Sequence, residues 1–330
     1  MLRNGSDKLA RLSSELIEKA KKVKVDVSFI VPLSFLLLQI FKLIDLLITN
    51  KTVENIFVIP FQLIIFLLPA YLFAKHKNKD EPLEYLLKLR LNFPKTSQIP
   101  FMLASLGLLI FGSMMISAVF AGTESLDSGF TLYNTFVSRV GVSFFSDLFL
   151  IIAYCAVPAF CEELVFRAIL CREYEKYNVL LGIISSSVFF ALLHFNVSQF
   201  PVYLFSGILL SLVMYATGSV SVSMIVHFAF NIFGLFGQPY LNAFYTVTGG
   251  TSGLFIFILS MLTLLLASLF CFTASKCYLR RARYSNIPNR RILPRPDRLT
   301  HIFSEIFINP FIIFAVLFYI VIAVILPFIV

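Results

Sequence analysis

The stretch GLFIFILSMLTLLLASLFCFTA, from Gly253 to Ala274, runs 22 residues without a charge. About 20 such residues cross the hydrocarbon core of a bilayer as a helix. No water is present there to satisfy backbone N–H and C=O groups, and a helix keeps those bonds within its own segment. Eight further apolar runs lie near residues 28–49, 56–74, 100–121, 143–166, 179–195, 199–217, 219–236 and 306–329. Together they predict an all-α fold, a polytopic transmembrane helical bundle of about 8–9 spans. Composition agrees: 58% of residues are hydrophobic, 38 are Phe, and only 14% are charged. Mean hydropathy is +0.88, far above that of soluble domains.

The basic residues test this topology, because cytoplasmic loops collect Lys and Arg. Residues 1–27 hold seven of them, the loop after the second run six, and the stretch after the eighth run eight. The turn after the fourth run adds Arg172 and Lys176, while the opposite side carries only Lys51 and Arg139. An inside N-terminus is expected. The net charge of +9 thus follows from topology, and no nucleic-acid partner is implied.

Four regions are expected. Residues 1–27 have Leu9, Leu12, Leu16, Ala20 and Val23 at helical spacing among Lys and Glu. This segment is read as a cytoplasmic amphipathic helix, either on the inner leaflet or plainly solvated. Residues 28–275 form the membrane domain. Residues 276–305 form a basic cytoplasmic linker attracted to an anionic inner leaflet, and residues 306–330 form a C-terminal transmembrane helix. LEYLLKLRLNFPK, Leu83–Lys95, is expected to be an interfacial helix. No cleavable signal peptide is expected. The five cysteines have no metal-ligand or disulfide pattern and are read as small apolar fillers.

Ionisable residues inside apolar spans are costly, about 2.5–3.5 kcal/mol each at mid-helix on insertion scales, and they mark function. CEELVFRAIL places Glu162, Glu163 and Arg167 at the end of one run. Glu163 and Arg167 are four apart and share a helix face, in the better order for pairing. Glu162 is turned about 100° away and is free to enter a cavity. FALLH ends in His194, one turn after Phe190, and HFAFN places His227 and Asn231 four apart. Taken singly, these patterns also fit a buried ion pair, a helix-end histidine and interhelical polar glue. Taken together, they suit water activation. A carboxylate serves as base, a His positions the water, and a second His with Asn donates to an oxyanion. Small residues, among them Gly182, Ser185, Ser186, Ser187, Gly207 and Ser211, are read as helix-packing positions.

EELVFR, FALLH and HFAFN, in this order, resemble the three signature motifs of the CPBP intramembrane proteases. That family includes CAAX prenyl endopeptidases and Abi-type bacterial relatives linked to bacteriocin self-immunity. The resemblance covers about residues 140–236, and LKLRL before the third span is also similar to bacterial members. Ala168 departs from the Gly that many members carry after the Arg. The resemblance implies a membrane-embedded, glutamate-dependent peptidase. Glu162 would activate water with His194, while His227 and Asn231 would form the oxyanion hole. Glu163, Arg167 and Phe190 would support them. No cofactor is assigned. Zinc on Glu162, His194 and His227 is the option left open, and a metal-free water mechanism is favoured. The expected partners are a peptide or lipidated-protein substrate and the bilayer.

Two other readings fit the same residues. One is a catalytically silent membrane partner or a bacteriocin self-immunity protein of the same fold. The other is a proton-coupled transporter, which would require inverted repeats or broken helices that the sequence lacks. The Phe-rich, Trp-free composition points to a bacterial cell membrane.

Overall fold

The computed structural model describes residues 29–47, 51–82, 86, 89–121, 136–175, 178–248, 252–284 and 310–321. All regular structure among them is helical. The helices are α1 (Ile30–Leu47), α2 (Lys51–Lys77), α3 (Ile99–Ala121), α4 (Phe144–Glu175) and α5 (Val179–Leu193). They continue with α6 (Phe200–Thr217), α7 (Val220–Phe236), α8 (Gln238–Val247), α9 (Ser252–Tyr284) and α10 (Pro310–Ile320). The amphipathic helix expected within residues 1–27 and most of the 276–305 linker lie outside the described residues.

The all-α polytopic bundle stands, but fewer helices reach membrane length than the nine expected. Among the described residues five do so, and α7 with α8 makes a sixth if that bent pair is one span. The 15 residues of α5 span only about 22 Å at 1.5 Å each, short of a hydrocarbon core of about 30 Å. Helices α4 and α9 run well past the C-terminal ends of their apolar runs. The fourth run stops near residue 166, yet α4 continues to Glu175; the eighth stops at 274, yet α9 continues to Tyr284. Hydropathy ends where charges begin, and Glu175 and Arg281 among these charges find partners within the bundle.

Those partners tie one end of the molecule together. Arg90 places its guanidinium on Glu175, with Nη2 2.7 Å from Oε1 and Nη1 3.4 Å from Oε2. The Arg90 carbonyl accepts from Val220 N at the start of α7. Arg281, on the extension of α9, donates to the Tyr215 carbonyl near the end of α6. The interfacial helix expected at residues 83–95 is described only in part. Leu89 and Arg90 form a turn there, with Leu89 buried and Arg90 at φ 53°. At the opposite end Arg139 donates to Asn55 Oδ1 at 3.1 Å.

Helix α4 is the central element, packed by α2, α5 and α7, while α6 links α5 and α7 to α3 and α9. Small residues set the closest approaches. A Cβ on Gly207 would stand 2.9 Å from both Cα and Cβ of Ser187, and one on Gly182 would stand 2.6 Å from the Cys171 carbonyl. The packing expected of these glycines is what brings α5 against α6 and α4. The C-terminal helix α10 packs on α1.

Candidate active site

Helix α4 is an α-helix interrupted by two π-helical stretches, Ile151–Ala156 and Leu164–Cys171. Between them lies the segment Val157–Glu163, which ends on the two glutamates. Such π stretches concentrate at functional positions because they rotate the side chains that follow. Glu162 is the nineteenth of the 32 residues of α4. It therefore lies within the helix and not near its end, because the helix runs past the apolar stretch.

The two carboxylates have different surroundings. The side chains of Glu163 and Arg167 are fully buried, with Arg167 Nη1 2.8 Å from Glu163 Oε1. That contact is ionic and off the hydrogen-bond axis. Arg167 Nη2 donates to the Gly207 carbonyl at 3.3 Å, and the guanidinium covers the Phe190 ring at 4.4 Å. Glu162 keeps 13% of its side-chain surface open, and its Oε2 is 3.9 Å from His227 Nε2. That distance is too long for a direct bond and suits a bridging water.

Glu163 has a wider role than pairing with Arg167. Its Oε1 lies 3.0 Å from His227 Nδ1, and its Oε2 accepts from the Ser223 hydroxyl. Glu163 is thus engaged by Arg167, His227 and Ser223, while Glu162 stays partly open, and His227 lies between the two. The second histidine arrives from α5. His194 is the C-cap residue of that helix, and Phe195 after it takes φ 49°, a rare conformation for a bulky residue. His194 Nδ1 is 2.8 Å from the Phe190 carbonyl, so Nδ1 donates and Nε2 is left with its lone pair. Tyr203 stacks on the imidazole at 3.8 Å and 20°. The Phe190 ring lies 4.8 Å from His194 and 5.9 Å from His227, centroid to centroid. It is the apolar spacer between the two histidines and Arg167. Asn231, one turn after His227, donates through Nδ2 to the Cys155 carbonyl at 3.5 Å, leaving its second N–H free.

All seven residues singled out from sequence thus gather where α4, α5 and α7 meet. Ser223, Tyr203 and the Gly207 carbonyl belong to the same cluster and were not singled out as site groups. Ser223 stands four before His227 on the same helix, but that spacing gains meaning only once α4 packs beside α7. Among the described residues, no group of three or more His, Cys, Asp or Glu side chains is placed to hold a metal ion. Glu162, His194 and His227 as they stand do not form a zinc ligand set. The five cysteines are free, four of them buried and Cys271 exposed.

Residues 144–233 match the family described as type II CAAX prenyl endopeptidase, Rce1-like. These helices form an Rce1-like domain. The matched segment runs from the first residue of α4 to two residues past Asn231, and so contains all seven candidate residues with Ser223, Tyr203 and Gly207. No curated protein and no solved structure is significantly similar to the chain. The likeness to CAAX-type peptidases rests on this segment, and α1, α2, α3 and α9 lie outside it.

Proposed function

We propose that this chain is an intramembrane endopeptidase that hydrolyses a peptide bond of a membrane-associated or prenylated peptide, with Glu162 as the general base. One observation carries the proposal. Inside the segment that matches the Rce1-like family, Glu162 on α4 faces His227 Nε2 on α7 across a 3.9 Å gap. A water beside this pair, within reach of both groups, loses its proton to Glu162 as it attacks the scissile carbonyl. His194, with Nδ1 engaged by the Phe190 carbonyl, offers Nε2 as the acceptor that orients the water.

The developing oxyanion needs donors. Asn231 has the N–H not used on the Cys155 carbonyl. His227 can donate from Nε2 only when its ring carries both protons, because Nδ1 already faces Glu163. The Glu163 carboxylate is placed to balance that charge. Glu162 passes the proton it took from the water to the leaving amine, which restores its carboxylate and closes the cycle. Arg167 holds Glu163 in place, and Phe190 keeps Arg167 and the histidines apart.

No step passes through a metal. Activity is expected to persist in a chelator; loss on chelation with recovery on zinc would assign Glu162, His194 and His227 as ligands. We further propose that the N-terminus is cytoplasmic, supported by the distribution of Lys and Arg, and that the protein resides in a bacterial cell membrane, supported by its Phe-rich, Trp-free composition. The test uses wild type and Glu162→Gln in lipid nanodiscs, a farnesylated CAAX peptide and a set of membrane peptides. New termini are read by mass spectrometry. A product made by wild type and not by the variant supports the proposal. Identical profiles from the two would sink it and favour a silent partner of the same fold.

A further inference from the structure

Ser223 lies on α7 one turn before His227, has no exposed surface, and falls outside all three sequence motifs. Its hydroxyl has two acceptors in reach, Glu163 Oε2 and the Leu210 carbonyl at 3.2 Å. A serine hydroxyl has one proton to donate. The carboxylate is both the nearer acceptor and the charged one, so the bond goes there.

The two oxygens of Glu163 are thereby assigned different tasks. Oε2 is held by Ser223, and Oε1 faces His227 Nδ1 at 3.0 Å and Arg167 Nη1 at 2.8 Å. The last torsion of a glutamate is broad. Without an anchor on Oε2 the carboxylate can rotate, and the bond to His227 rotates with it. An ionised carboxylate only accepts, so His227 Nδ1 must bear a proton here. Which ring nitrogen carries the proton is set by the bond the other makes. Nε2, on the Glu162 side, is left for the reaction.

We infer that Ser223 is a positioning residue: it orients Glu163, and Glu163 in turn keeps His227 protonated at Nδ1 with Nε2 turned toward Glu162. The catalytic meaning of this relay rests on the proposed peptidase, whereas its geometry does not. The experiment therefore observes His227 directly. Full-length protein labelled with ¹⁵N in its imidazoles is placed in lipid nanodiscs. With four histidines in the chain, the spectrum is sparse, and His227→Gln assigns the signal. Wild type is expected to show a proton on His227 Nδ1. Ser223→Ala should shift or exchange-broaden that signal, and Ser223→Thr, which keeps the hydroxyl, should restore it. A wild-type His227 protonated on Nε2 alone overturns the inference, with no need for a variant that folds. A Ser223→Ala spectrum identical to wild type overturns it as well.

The same samples are assayed on the farnesylated CAAX peptide. Loss of a hydrogen bond to a charged group is expected to lower activity about 10–100-fold, here in kcat with KM within about twofold. If His227 responds to Ser223→Ala while wild type cuts nothing, the relay stands and the peptidase reading falls.

Discussion

Adjacent glutamates on one turn have opposite surroundings here, and single substitutions separate them. Glu162 is partly open and faces His227 Nε2; Glu163 is fully buried and carries Arg167, His227 and Ser223. Removing one proton-transfer group costs about 10²–10⁴ in rate. Glu162→Gln is therefore expected to lose activity on that scale with an unchanged unfolding midpoint, measured by peptide cleavage and a thermal melt in detergent. Arg167 gives the converse case. Arg167→Met strands a buried carboxylate, a change worth about 3–5 kcal/mol of stability, and the melt should drop accordingly. Arg167→Lys should rescue little. An ammonium cannot both lie flat on Phe190 and reach the Gly207 carbonyl, as the planar guanidinium does.

At the scale of elements, the site depends on how closely three helices approach. Gly207 lets α6 touch α5 at Ser187, with no room for a Cβ. Gly207→Ala must push the helices apart, and overpacking of this kind costs about 1–3 kcal/mol. The carbonyl that holds Arg167 moves with it, so a lowered melting point together with lowered cleavage is expected. A variant that keeps both at wild-type values would show that the contact yields freely. Close approach was legible in the sequence as small residues in apolar runs, and the candidate site groups were legible as ionisable or polar residues where lipid disfavours them. The lengths of α4 and α9 were not, since hydropathy cannot see that Glu175 and Arg281 have partners on other segments. Ser223 was illegible for a related reason. A serine is unremarkable in an apolar helix until α4 lies beside α7 and supplies Glu163.

At the scale of the whole molecule, the two ends of the bundle differ in charge, and this fixes how it should sit in a bilayer. One end joins Arg90, Glu175 and Arg281 and continues into the basic residues of α9; the other has Arg139 on Asn55. Translocating the first end would carry many more Lys and Arg across the membrane than translocating the second, which topology disfavours. Phe93 and Val142 report on the two ends, being 92% and 69% exposed. Single cysteines there, with exposed Cys271 changed to Ser, can be challenged with a membrane-impermeant maleimide. Val142→Cys should label on intact cells, and Phe93→Cys only after permeabilisation. The reverse pattern would invert the molecule and place the Arg90–Glu175 end outside. The same end is also a structural tie. Arg90→Ala removes two charge-assisted bonds to Glu175, each such bond to a charged group being worth about 1.5–3 kcal/mol. It also frees the turn that caps the start of α7 through Val220. Because α7 carries Ser223, His227 and Asn231, the loss should appear as a lower melting point and also as weaker cleavage, although Arg90 belongs to a segment outside the Rce1-like match.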